Sequence, residues 1–126
     1  MKVCFLNDTF PPCVDGVATA VCNYAKAVDK AYGNAIAAVP YYPDADDGQY
    51  PFPVIRFGSI RGSSFTWGYR IGNFLSRHAA KQVSSFAPDI LHCHAPGTSL
   101  LLGKRLRKKL NVPLILTYHT KFEIEI

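Results

Sequence analysis

Nowhere does the sequence carry the roughly 18 consecutive apolar residues that a membrane-spanning helix needs. Its first apolar run ends at Leu6 and is followed at once by Asn7-Asp8. A secretory leader would need a longer apolar stretch and a small-residue cleavage site, so the chain reads as cytoplasmic. There is no Cys-x-x-Cys pair. Cysteines at 4, 13, 22 and 93 follow no framework spacing, which fits reduced thiols rather than a disulfide scaffold. There is no G-x-G-x-x-G, and its absence argues against a dinucleotide cofactor. Glutamate is scarce, with Glu123 and Glu125 the only two. No internal repeat, coiled coil or low-complexity tract interrupts the chain.

What is present is ordinary globular composition. The 126 residues amount to about one domain. Basic residues outnumber acidic ones, giving a formal net charge of +5 and a pI near 9.1. That balance suits an anionic partner such as a phosphorylated substrate, a membrane surface or nucleic acid. By itself it selects none of them, and it is equally compatible with solubilising charge.

Strand and helix signals alternate. Residues 2–6 form a short apolar run suited to a buried parallel strand, and a Pro-Pro loop follows over residues 7–16. Val17, Val21, Tyr24, Ala25 and Val28 recur at helical spacing, predicting a helix over residues 14–31 with Gly33 as its stop. Residues 35–39 read as a second strand ended by Pro40, residues 41–53 as a loop, and residues 54–57 as a third strand. Residues 58–72 look like a loop. Ile71, Phe74, Leu75, His78, Ala79, Val83 and Phe86 then share one helical face, up to the break at Pro88-Asp89. A fourth strand at 90–94, a turn at Ala95-Pro96-Gly97, a helix lined by Leu102, Leu106 and Leu110, and a fifth strand at 114–118 complete the pattern, and residues 119–126 begin another element. Such alternation predicts a Rossmann-like, doubly wound α/β fold: a parallel sheet with helices on both faces. A complete domain of this kind usually adds at least one more strand, so the chain reads as truncated at its carboxyl end.

In open parallel sheets, ligands bind beyond the carboxyl ends of the strands, where strand order reverses. With the order 3-2-1-4-5, the first, fourth and fifth strands are neighbours. Their ends carry Asn7 to Thr19, His92 to Thr98, and Thr117 to Lys121. Gly16, just before a helix, lets backbone approach an anion at the helix N-terminus. His92 and His94, two apart on a strand, face one side while Cys93 faces the other. No further ligand follows at metal spacing, so no metal site is assigned. His94 is nearest the strand end and the better substrate contact; His92 fits a hydrogen-bonded core position, and His78 a structural place on a helix's apolar face. His119 directly follows an apolar strand and precedes Thr120 and Lys121; a neutral imidazole there can bond a sugar hydroxyl. Asp8 and Asp15 are loop acids that could serve as caps or surface groups. The basic run Lys104-Arg105-Leu106-Arg107-Lys108-Lys109 lies on an amphipathic helix, a solvated face or an attraction to anionic lipid. Aromatics do not interleave with it, which disfavours nucleic acid.

Three segments, "NDTFPPCVDGVATAVCNYAKAV", "PDILHCHAPGTSLLLGKRL" and "VPLILTYHTKFE", resemble the N-terminal domain of family 4 glycosyltransferases, in the family's order and spacing. Between them, residues 41–72 show no such match. The resemblance implies a GT-B architecture: an N-terminal acceptor-side domain, of which this chain is the incomplete first part, and a C-terminal donor-binding domain that the chain lacks. It implies transfer of a hexose from a nucleoside diphosphate sugar, UDP- or GDP-linked, to a hydroxyl acceptor with retained configuration, and no other cofactor. On the family pattern Gly16 matches the glycine loop that approaches the donor phosphates. His119 matches the catalytic-site histidine that contacts the donor sugar, with Thr120 and Lys121 beside it. His94 matches the second histidine of an H-x-H-x-P segment. Asp15 departs from the pattern, where many members have a second glycine.

Positive charge and the aromatic segment holding Phe65, Trp67 and Tyr69 favour a lipid acceptor and peripheral association with the inner face of an anionic membrane. The chain alone is expected to be inactive. The rival readings are a non-catalytic α/β module binding a flavin or small anion, and a fragment whose exposed sheet edge takes a protein partner.

Overall fold

The computed structural model describes residues 1–13, 16–60 and 70–117. Five strands, β1 (Val3–Leu6), β2 (Ala35–Pro40), β3 (Val54–Phe57), β6 (Ile90–Cys93) and β7 (Leu114–Leu116), form one parallel sheet in the order β3-β2-β1-β6-β7. A separate two-stranded antiparallel hairpin pairs β4 (Ser59–Ile60) with β5 (Ile71–Gly72). Three helices, α1 (Gly16–Tyr32), α2 (Arg77–Phe86) and α3 (Thr98–Leu110), cover the large sheet.

Burial on both faces explains why the strands are apolar without a break. In β1 the residues alternate between two cores. Val3 and Phe5 pack with Val21, Cys22 and Ala25 of α1, whereas Cys4 and Leu6 pack with Ala79, Ala80 and Val83 of α2 and Leu102 and Leu106 of α3. Each large apolar side chain withdrawn from water in this way contributes about 1.5–3 kcal/mol. The result is a three-layer α/β/α sandwich, the Rossmann-like arrangement expected from the alternation of signals.

The helix ends follow local rules. Gly33, at φ +71°, closes α1 with its N–H on the carbonyl of Asp29, where the sequence placed the stop. Asn111 ends α3 in the left-handed conformation, its N–H on the carbonyl of Arg107. Ser76 caps α2, its hydroxyl accepting the N–H of Ala79 at 3.1 Å.

Several boundaries differ from the sequence reading. The helical face read from Ile71 onward begins only at Arg77: Asn73 forms a turn with Ser76 and accepts the N–H of Leu75, so the chain between β5 and α2 is already committed to a turn. Residues 58–72, read as loop, contain the hairpin strands β4 and β5. His78, read as structural on an apolar face, is exposed, because α2 buries Ala79, Ala80 and Val83 instead. The second strand runs on through Pro40, which pairs with Phe57; the fourth ends at Cys93 and the fifth at Leu116.

Candidate functional site

The sheet order puts the carboxyl ends of β1, β6 and β7 side by side: Leu6 is in register with Cys93, and Cys93 with Leu116. The loop after β1 is tightly self-organised. Asn7 is 1% exposed and its amide donates to the carbonyl and hydroxyl of Thr9 at 2.8 and 3.2 Å. Asp8 crosses to the neighbouring strand's helix. Its Oδ1 accepts the backbone N–H of Ser99 at 2.8 Å and the hydroxyl of Thr98 at 3.1 Å, so it caps α3 from another loop. Gly97 makes room for this contact, since a Cβ there would run into the Asp8 carboxylate. The positive end of the α3 dipole is therefore already met by a carboxylate of the chain itself.

The two histidines lie on the α1 side of the sheet, as their period-two spacing requires. Their ring centroids are 4.1 Å apart, and both rings touch Phe5 of β1, at 5.8 and 5.9 Å. Tyr24 of α1 stacks on His94 at 5.4 Å from the solvent side. His94, read as the substrate contact, is 2% exposed beneath that tyrosine. His92, read as a hydrogen-bonded core residue, is half-buried and shares a 2.7 Å hydrogen bond between Nε2 and the hydroxyl of Thr117. Cys93 faces the opposite core, its thiol donating to the carbonyl of Ala95 at 3.0 Å. Burial raises the pKa of its thiol, as it does for Cys4 and Cys22. Among the described residues no three His, Cys, Asp or Glu side chains gather as a metal site would require.

Gly16 opens α1 at an exposed position, and among the described residues nothing lies within 4 Å of where its Cβ would be. That leaves the first turn of α1 approachable by a ligand. Asp15, His119, Thr120 and Lys121 lie outside the described residues, as do Phe65, Trp67 and Tyr69 of the aromatic segment.

Three features escaped the sequence reading. Tyr24 looked like a member of the apolar stripe of α1, yet it is 49% exposed and lids His94. Arg56 ties this corner together. Its guanidinium meets both oxygens of Asp47 at 2.8 and 3.0 Å, donates to the carbonyls of Pro40 and Pro11 at 3.0 and 2.7 Å, and lies 5.6 Å from the ring of Phe10. The basic run also divides. Arg105 turns back to the carbonyls of Phe74 and Ser76, whereas Lys104, Arg107 and Lys108 line an open groove of about 620 Å³ with Asn111, Val112 and Pro113. Pro113 accepts the N–H of Leu91, so this groove sits at the amino edge of the sheet. A second crevice, of about 490 Å³, lies at the carboxyl edge of β3 between Gly58, Ser59, Ile60, Ile71, Gly72 and Asn73.

The profile of Glycosyltransferase Family 4 matches residues 14–125, nearly the whole chain. Over 127 residues the chain is 31% identical to an alpha-monoglucosyldiacylglycerol synthase of Streptococcus pneumoniae, covering 98% of the chain and 27% of that protein. A protein of the same name from Acholeplasma laidlawii is 25% identical over 124 residues, covering 98% of the chain and 31% of its own length. A sulfoquinovosyl transferase of Arabidopsis thaliana is 33% identical over 52 residues, which is 41% of the chain and 10% of that protein. The chain thus spans under a third of the length of these relatives.

Proposed function

The chain belongs to glycosyltransferase family 4, and from that premise we propose that its full-length gene product transfers a hexose from a UDP- or GDP-linked donor to the hydroxyl of a lipid, with retention of configuration. The observation that carries this reading is the convergence of the ends of β1, β6 and β7 on one edge of the sheet, with the family match over residues 14–125 taking in β6, β7 and the helix that follows β1. This chain supplies the acceptor-side domain, and a second domain binds the donor across the cleft. Gly16 brings the backbone of the first turn of α1 toward the donor diphosphate, where N–H groups and basic side chains, rather than a protein-bound metal, take up the leaving charge. His119 contacts the donor sugar, with Thr120 and Lys121 completing that end of the site. A carboxylate beside a diphosphate is unfavourable, so Asp15 either points away from it or meets an acceptor hydroxyl. His94 borders the acceptor side beneath Tyr24.

Three observations support a lipid acceptor. Two relatives are named for diacylglycerol glycosides. The groove of Lys104, Arg107 and Lys108 offers an anionic leaflet positive charge that no ion pair meets among the described residues. Ile60, 66% exposed, and Ile71 offer apolar surface at the edge where an acceptor would enter. The protein then works peripherally on the inner face of the membrane.

The deciding experiment assays the full-length protein with a panel of nucleotide sugars and diacylglycerol in mixed micelles, wild type beside His119→Ala. Turnover on a UDP- or GDP-hexose, reduced by orders of magnitude in the variant, is the expected result. A wild type that binds and turns over no nucleotide sugar removes the reading and transfers the weight to a non-catalytic α/β module, which flavin colour or a thermal shift with small anions would reveal.

A further inference from the structure

Thr117 is the residue at which the described chain leaves β7, and β6 holds it at two points. Its backbone N–H reaches the carbonyl of Cys93 at 2.9 Å, and its hydroxyl shares the 2.7 Å hydrogen bond with His92 Nε2. The first contact continues the ladder of the sheet and could be made by any residue. The second depends on side chains and fixes Thr117 in rotation as well as in place.

His92 is itself held. Its ring is flanked by that of His94 at 4.1 Å and by Phe5 at 5.8 Å, and Tyr24 closes the stack from the surface. A ring so confined keeps its Nε2 aimed at one point. The bond partner, Thr117, stands two residues before His119 in the sequence.

We propose that His92 is a positioning residue of the glycosyl-transfer site: its hydrogen bond to Thr117 fixes the carboxyl end of β7, the strand end that precedes His119 in the sequence. The proposal rests on the glycosyltransferase reading given above. It separates the two histidines of the β6 end by task, with His92 turned toward the neighbouring strand and His94 toward α1. It also explains why a polar histidine stands at a strand position on the α1 face of the sheet, where an apolar residue would pack more simply. Misplacing a reacting group by about an ångström can lower a rate by about a hundredfold, so the effect falls on turnover rather than on donor affinity.

The test compares four variants of the full-length protein. His92→Phe keeps a stacking ring without the bond, and Thr117→Val removes the hydroxyl at nearly constant shape. His92→Gln and Thr117→Ser retain a group able to make it. The expected result is a fall in kcat of about ten- to a hundredfold for His92→Phe and Thr117→Val, with the donor KM within about twofold of wild type. Gln and Ser restore most of the rate, and the double variant His92→Phe/Thr117→Val is no slower than the worse single. Should His92→Phe fail to fold, the near-isosteric pair Thr117→Val and Thr117→Ser carries the test alone. Wild-type kcat in Thr117→Val, or an equal loss in Thr117→Val and Thr117→Ser, overturns the proposal and leaves the glycosyltransferase reading standing. A wild type without turnover on any nucleotide sugar overturns both.

Discussion

Asp8 and Ser99 stand ninety-one residues apart, yet the carboxylate of the first accepts the N–H of the second in the opening turn of α3, at 2.8 Å. The bond joins the loop after β1 to the first turn of α3 and so couples two of the three segments that form the candidate site. Removing it as Asp8→Ala should lower stability by about 1–2 kcal/mol, the usual worth of an N-cap. Gly97→Ala should be costly for a related reason, because the new Cβ would lie 2.8 Å from Asp8 Cγ. In the Asp8→Ala background the same glycine substitution should cost close to nothing. Urea denaturation of the two singles and the double checks this; simple additivity would mean that the carboxylate and the glycine do not share a space.

Arg56 gives a second prediction. Its side chain is 11% exposed and that of Asp47 25%, and the guanidinium spans Asp47, Pro40 and Pro11 at once. Arg56→Ala strands a carboxylate and two carbonyls, at a cost of about 3 kcal/mol. Arg56→Lys should recover little, because an ammonium cannot hold two carboxylate oxygens and two carbonyls in one plane. A denaturation midpoint for the lysine variant close to wild type would show that charge alone suffices.

The thiols predict a pH dependence. Burial raises the pKa of Cys4, Cys22 and Cys93, with Cys4 and Cys93 fully enclosed. Below the ordinary thiol value of about 8.5 both native and unfolded chains keep these groups protonated, and stability does not depend on them. Above it the unfolded chain ionises while the native one resists. Stability should therefore fall as pH rises from about 8.5, by up to about 1.4 kcal/mol per pH unit for each fully enclosed thiol. Tyr50, raised chiefly by burial, adds to the fall at still higher pH. Chemical denaturation between pH 7 and 10 measures it, and a thiol reagent at pH 8 should leave Cys4 and Cys93 unmodified until the protein unfolds.

The groove on α3 predicts how the protein meets a membrane. Replacing Lys104, Arg107 and Lys108 together by glutamine should weaken partition onto vesicles containing phosphatidylglycerol by about 3 kcal/mol, roughly a hundredfold. Binding to phosphatidylcholine alone should barely change. Co-sedimentation at low and high salt reads both. Equal partition of wild type and triple variant would move the membrane contact away from α3.

Much of this architecture is legible in the sequence, because the strands are short apolar runs, two of them closed by Pro40 and Gly58, and the helices α1 and α3 carry their own stops at Gly33 and Asn111. The opposed faces of His92 and Cys93 follow from a period of two. Other features are not local. The partner of Asp8 lies far beyond any sequence window, and the stack of Phe5, His92 and His94 exists only once β1 and β6 are neighbours. The early start assigned to α2 had another cause: Ile71, Phe74 and Leu75 have helical spacing by coincidence, and the turn of Asn73 with Ser76 overrides it. Tyr24 fitted an apolar stripe because a ring that lids another ring has the same periodicity as one that is buried.

The capping of α3 bears on how the molecule would orient in an electric field. The backbone of a helix places positive charge at its start and negative charge at its end. Here Asp8 stands at the start, and Arg107, Lys108 and Lys109 occupy the last turn. Both groups oppose the backbone dipole and outweigh it, so α3 with its capping carboxylate has the reverse polarity, negative at Asp8 and with a strongly positive pole at the amino edge of the sheet. Its 13 residues hold that pole about 20 Å from the edge where the strands end. A negatively charged surface therefore draws on α3 through its basic last turn and not through its capped start.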